Sequence, residues 1–330
     1  GLGKTVVAKG VIAELLKARL KAVGNKALRK PLRVTYICSN QTLARENRAK
    51  LAVFKGEAQE RYVKEPSFGR LITTAIEPES SVSANGKLLE VCSLTPSTSF
   101  NLTQGDGNWH ERMIILCALT KYQALAKIED YLCEFFQGRI SDTQWWTDEY
   151  VRFDKEEVFK SKVLKGFHKL IASKLTEADQ GLGGVEFKGT WVELLLAVAK
   201  QEIFLVYPSR VRARLRLLIA RACAGNLSAD LYILDEFQRF KGLLTTGCAS
   251  EESIIARQVF GDGDKSSAKV LLLSATPFKA YSQSHDDEEG EGHDQELQFL
   301  LRFISGNDEA MLASYQQHRH AMQQQIIALK

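Results

Sequence analysis

Leu231-Tyr232-Ile233-Leu234-Asp235-Glu236 decides the fold: four apolar residues run straight into two carboxylates. The apolar run reads as a buried strand, and ionisable groups at the tip of such a strand are costly unless a cation or hydrogen-bond donors satisfy them. The plain alternative is a strand followed by an acidic helix N-terminus, where Asp and Glu suit the helix dipole.

Working outward, a second apolar strand at Val270-Leu271-Leu272-Leu273 also ends in polar residues, Ser274-Ala275-Thr276-Pro277. Toward the N-terminus, Leu32 to Cys38 reads as a buried strand after Pro31, followed by a helical stretch over 41–54. Strand-like segments recur near Leu71-Ile72-Thr73 and over Leu88 to Cys92, and two late helices are predicted over 295–304 and 308–329. Strands alternating with helices predict an α/β fold with a mostly parallel sheet covered on both faces, whose ligands sit at the carboxyl ends of the strands. Between them, 111–225 is long helical stretches rich in Leu, Ala, Lys and Arg, broken by Gly181-Leu182-Gly183-Gly184, and reads as a large helical insertion. The expected layout is therefore 1–110, first part of the sheet domain; 111–225, insertion; 226–330, second part and closing helices.

The chemistry at the strand ends has a counterpart at Gly1-Leu2-Gly3-Lys4-Thr5, which opens a helix carrying Val6, Val7, Val11, Ile12, Leu15, Leu16 and Leu20 at helical spacing. Glycines there let backbone N–H groups approach phosphates, Lys4 would reach the β- and γ-phosphates of ATP, and Thr5 would place its hydroxyl on Mg²⁺. A bare Gly-Lys-Thr also arises by chance in surface turns. Asp235 supplies the complementary half, holding the metal, while Glu236 orients and polarises the attacking water.

Taken in order, GLGKT (1–5), LDEFQ (234–238) and LLLSATPF (271–278) resemble motifs I, II and III of superfamily 2 (DExx-box) helicases, nearest in flavour to the Swi/Snf-like bacterial helicase-related proteins. The resemblance implies a RecA-like P-loop NTPase lobe. It assigns Gly1, Leu2, Gly3, Lys4 and Thr5 to ATP, Thr5 and Asp235 to Mg²⁺, Lys4, Asp235 and Glu236 to hydrolysis, and Gln238, Ser274 and Thr276 to coupling. Gln238 departs from the His or Asp usual at that position. Tyr36 to Thr42 stands where motif Ia would lie, and there Ser39, Asn40 and Thr42 would contact a nucleic-acid backbone, although Ser39 or Asn40 also suits a helix cap. Thr95, in Leu94 to Phe100, belongs to a further segment of this kind or to a plain loop. The implied activity is an ATP-dependent helicase or translocase acting on nucleic acid, DNA in preference to RNA, with a second motor lobe elsewhere in the parent chain supplying an arginine finger. A duplex translocase that never separates strands and a non-catalytic nucleotide-binding subunit of a defence or restriction complex are the alternatives.

Composition bounds the rest. The 330 residues, with 45% hydrophobic content and 6 Pro, are enough for a sizeable core, and no apolar run approaches the ~20 residues of a membrane span. The 6 cysteines form no C-x-x-C pair, which points away from zinc and disulfide scaffolds and toward a reducing, cytoplasmic setting. The missing initiator Met and the apolar-rich end read as the edges of a fragment. The acidic run 286–294 is expected to be a solvated loop, Trp145, Trp146 and Trp191 to anchor a small core, and Arg210, Arg212, Arg214, Arg216 and Arg221 to form a solvated basic face.

Overall fold

The computed structural model describes residues 3–23, 30–64, 69–77, 87–99, 102, 105, 107–236, 251–260, 268–274, 301–302, 305 and 308–328. Its centre is a five-stranded sheet built from β1 (Leu32–Ile37), β2 (Val63–Lys64), β4 (Leu89–Leu94), β6 (Leu231–Asp235) and β7 (Lys269–Leu273), in the order β2-β4-β1-β6-β7. Every neighbouring pair is parallel. Parallel neighbours require crossovers, and helices supply them. A separate antiparallel pair joins β3 (Ile76–Glu77) to β5 (Val158–Phe159).

Side-chain alternation along the strands divides the interior into two cores. Leu32, Val34, Tyr36 and Cys38 of the β1 segment, with Leu231 and Ile233 of β6 and Leu273 of β7, pack on α1 (Lys4–Val23) through Ala8, Ile12 and Leu16. These three recur every fourth residue and form one stripe. Val6 and Val7, which the apolar pattern had included, fall off that stripe and are 73% and 53% exposed.

On the opposite face Ile37, Leu94, Tyr232 and Leu234 join a larger core made by the helical region. That region comprises α5 (Trp109–Thr120), α6 (Glu129–Gln137), α7 (Thr143–Glu156), α8 (Ser161–Ile171), α9 (Trp191–Ala199) and α10 (Pro208–Ala224). In chain order this region lies between β4 and β6, and its core takes in side chains from the second face of the sheet. Trp146 and Trp191 anchor it, at 0% and 2% exposure, as expected, whereas Trp145, expected with them, is 40% exposed.

Two sequence expectations are corrected. Leu71–Ala75 is a 3₁₀ turn and not a strand, with Leu71, Ile72, Thr74 and Ala75 all buried. Its threonine hydroxyls donate back to carbonyls three residues earlier, Thr73 to Arg70 at 2.7 Å and Thr74 to Leu71 at 2.6 Å, which satisfies locally the groups a strand would pair laterally. The helix after β1, α2 (Gln41–Lys50), ends four residues short of Phe54. The late helix Glu309–Ala328 is present, whereas 295–304 lies largely outside the described residues.

Candidate functional site

All strands of the main sheet run the same way, so the loops after β1, β4, β6 and β7 share one edge. Residues 231, 233 and 235 alternate toward α1, and this places Asp235 above Leu231 and Ile233 on the face where α1 begins. Lys4 opens α1. The two meet: Lys4 Nζ lies 2.9 Å from Asp235 Oδ1 and 3.7 Å from Glu236 Oε1. Residues about 230 positions apart thus form one half-buried cluster of a cation and two carboxylates.

Local backbone geometry aims these groups. Gly3 adopts φ 120°, a conformation closed to most side chains, and its carbonyl accepts from Val7 N–H to start α1. A Cβ on Gly3 would meet nothing within 4 Å. Glu236 follows β6 at φ 56°, while its N–H donates to the Leu273 carbonyl at 2.8 Å. The left-handed turn leaves the strand line and brings the carboxylate back toward Lys4. Thr5 follows in the first turn of α1, half-buried, and Ser274 follows Leu273, whose register partner is Asp235.

A second layer was not foreseen. The Tyr36 hydroxyl donates to Asp235 Oδ2 at 2.5 Å and accepts from Asn47 Nδ2 at 2.9 Å. Burial, then the hydrogen bond to Asp235, pushes the Tyr36 phenol well above its ordinary ionisation range, so it stays a donor. Cys38, at the end of β1, is likewise pushed up by burial and by the charges of Asp235 and Glu236, although its hydrogen bond to the Asn40 carbonyl opposes this, and the thiol is neutral. A large aromatic with a polar tip in a strand read as buried was the available signal, since a buried Tyr hydroxyl demands a partner.

Asn40 caps α2: its Oδ1 accepts from Thr42 N–H at 2.7 Å and its carbonyl from Ala44 N–H at 2.8 Å. Ser39 is half-buried, and Asn40 and Thr42 are exposed on the site's edge of the sheet. Thr95 is placed differently. It is 1% exposed, and its hydroxyl is shared with Thr98 at 2.6 Å above the Gly69 carbonyl, so here it braces the loop after β4. Gly1, Leu2, Gln238 and Thr276 lie outside the described residues.

Asp235 could offer a carboxylate oxygen, Thr5 a hydroxyl and Lys4 a compact charge to a metal ion or an anion at the start of a 20-residue helix. Among the described residues no group of three or more His, Cys, Asp or Glu could hold a metal ion. Among the described residues Cys38, Cys92, Cys117, Cys133 and Cys223 form no disulfide, and no described helix is long and apolar enough to cross a membrane. No family model, curated protein or solved structure matches the chain.

Proposed function

We propose that the chain is the ATP-binding and hydrolysing lobe of a nucleic-acid-dependent motor of the superfamily 2 type, a helicase or translocase working in the cytoplasm. One observation carries the reading: the cation of the glycine loop and both carboxylates of the β6 tip converge at the carboxyl edge of a parallel sheet. A lone Gly-Lys-Thr or a lone Asp-Glu has a bland explanation; their meeting at 2.9 Å has a narrower one.

In this reading Lys4 would hold the β- and γ-phosphates, and Asp235 and Thr5 would hold magnesium. The ion, when bound, neutralises phosphate charge during phosphoryl transfer. Glu236 orients and polarises the attacking water. Ser39, Asn40 and Thr42, beside the site, would grip the backbone of DNA, and Ser274 would report the state of the nucleotide to that grip. A second lobe would close the site and supply an arginine, typically contributing ~10³ or more to the rate.

The test is ATP turnover with and without single-stranded or duplex DNA. Lys4→Ala removes a charge-assisted contact and should weaken nucleotide binding ~10- to 100-fold. Glu236→Gln should keep binding but lower turnover by ~10²- to 10⁴-fold. Variants that hydrolyse ATP like the parent would sink the assignment, and stimulation by duplex alone would select the translocase over the strand-separating form.

A further inference from the structure

We infer that Tyr36 and Asn47 are positioning residues for the Asp235 carboxylate, linking the helix that follows the Ser39 to Thr42 segment to the metal-holding end of the site. The inference rests on the reading of Asp235 as a magnesium ligand.

The geometry is set by register. Tyr36 pairs with Ile233, which puts it two residues, about 6.6 Å, below Asp235 along the neighbouring strand. Both side chains point to the α1 face, and the phenol spans the interval. A Phe there would fill the same core and fall short of the acid.

The two carboxylate oxygens are thereby divided between tasks. Oδ2 accepts from the Tyr36 hydroxyl, and Oδ1 faces Lys4 at 2.9 Å. Octahedral magnesium takes a carboxylate through one oxygen and tolerates little error in direction. Fixing Oδ2 stops the carboxylate turning about its own axis and leaves Oδ1 as the oxygen presented to lysine or metal. The phenol is fixed in turn: Tyr36 is 2% exposed, and its oxygen accepts from Asn47 of α2. Since Asn40 caps that same helix, a shift of α2 on gripping a nucleic-acid strand would reach Asp235 through two hydrogen bonds.

Partners that orient a metal ligand commonly contribute 10- to 100-fold to metal affinity or activity. The experiment titrates a fluorescent N-methylanthraniloyl ATP into the 330-residue chain, once in EDTA and once across a magnesium series. Tyr36→Phe should bind the nucleotide as tightly as the parent in EDTA, which also reports an intact fold. Its magnesium concentration for half-maximal enhancement of binding should rise at least ~10-fold. Asn47→Ala should move that concentration in the same direction by less, because the Tyr36 to Asp235 bond survives it. An unchanged magnesium requirement in Tyr36→Phe overturns the inference, as does an equal loss of affinity with and without magnesium, the signature of a merely structural tyrosine. A parent that binds no nucleotide under either condition removes the ATP-site reading and this inference together, whereas a normal parent with an indifferent Tyr36→Phe removes this inference alone.

Discussion

Glu236 occupies left-handed backbone at φ 56° without being glycine, and it stands at the tip of the strand where water activation is proposed. A β-carbon in that region costs roughly 1–2 kcal/mol, and such outliers persist where the surroundings over-determine them. The cost here accompanies a carboxylate aimed back at Lys4. Glu236→Gly should therefore raise stability by about 1 kcal/mol over Glu236→Gln, while both variants lose hydrolysis. Urea midpoints of the two variants check this, and a Gly variant less stable than the Gln variant would show that no strain is stored. At this scale Lys4, Asp235 and Glu236 were legible because residue type and the end of an apolar run define the chemistry without a third dimension. Tyr36 was legible only as a strand residue, because its bond to Asp235 depends on which strands become neighbours. Thr95 read as part of a strand-contacting segment or of a plain loop, and its hydroxyl is turned inward, a direction that composition does not give.

Among elements, α10 diverges most from its sequence. Its arginines suggested a solvated basic face, yet Arg212 and Arg216 are 8% and 4% exposed, and Arg214 pairs with Asp179. The helix crosses the interior of the helical layer, where guanidinium groups replace water as donors to backbone carbonyls. Arg212 donates to Phe135 O at 2.9 Å, and Arg112 of α5 donates to Phe136 O and Gln137 O at 3.1 and 2.6 Å. Together they satisfy the last turn of α6, where Gly138 at φ 60° ends the helix and leaves room for Arg112. Glu111, fully buried, closes a second cluster, 3.1 Å from Arg216 Nε and 3.2 Å from Arg70 Nη1, while forming a capping box with Asn108. Periodicity cannot separate such a buried charged helix from a solvated one, because both interleave apolar and basic residues. Glu111→Gln leaves two guanidinium groups facing a neutral amide, and should cost about 3–5 kcal/mol in urea unfolding. Adding Arg216→Met to that variant should restore part of the loss, as expected for partners in contact. A single-variant loss below ~1 kcal/mol would mean the cluster is solvated in solution.

The largest scale turns on whether the helical region is an appended unit or one wall of a single core. Sequence argued for an insertion over 111–225, a stretch that lies between β4 and β6 in chain order. The interior argues for continuity: Tyr232 and Leu234 of β6 belong to the core of the helical layer, while Leu231 and Ile233 of the same strand belong to the core under α1. A five-residue strand thus couples both halves, and it also carries Asp235. The tryptophans provide a local reporter, because all 4, Trp109, Trp145, Trp146 and Trp191, lie in the helical layer. Ile233, fully buried, belongs to the core under α1 on the far face. Ile233→Ala should cost ~2–5 kcal/mol through lost transfer energy and the cavity left behind. With one continuous core, tryptophan fluorescence and far-ultraviolet circular dichroism should move to lower urea together by that amount. An independently folded insertion would instead keep its tryptophan transition at the parent midpoint while part of the dichroism unfolds early, and the sheet edge that gathers Lys4 and Asp235 would then owe nothing to the layer beneath it.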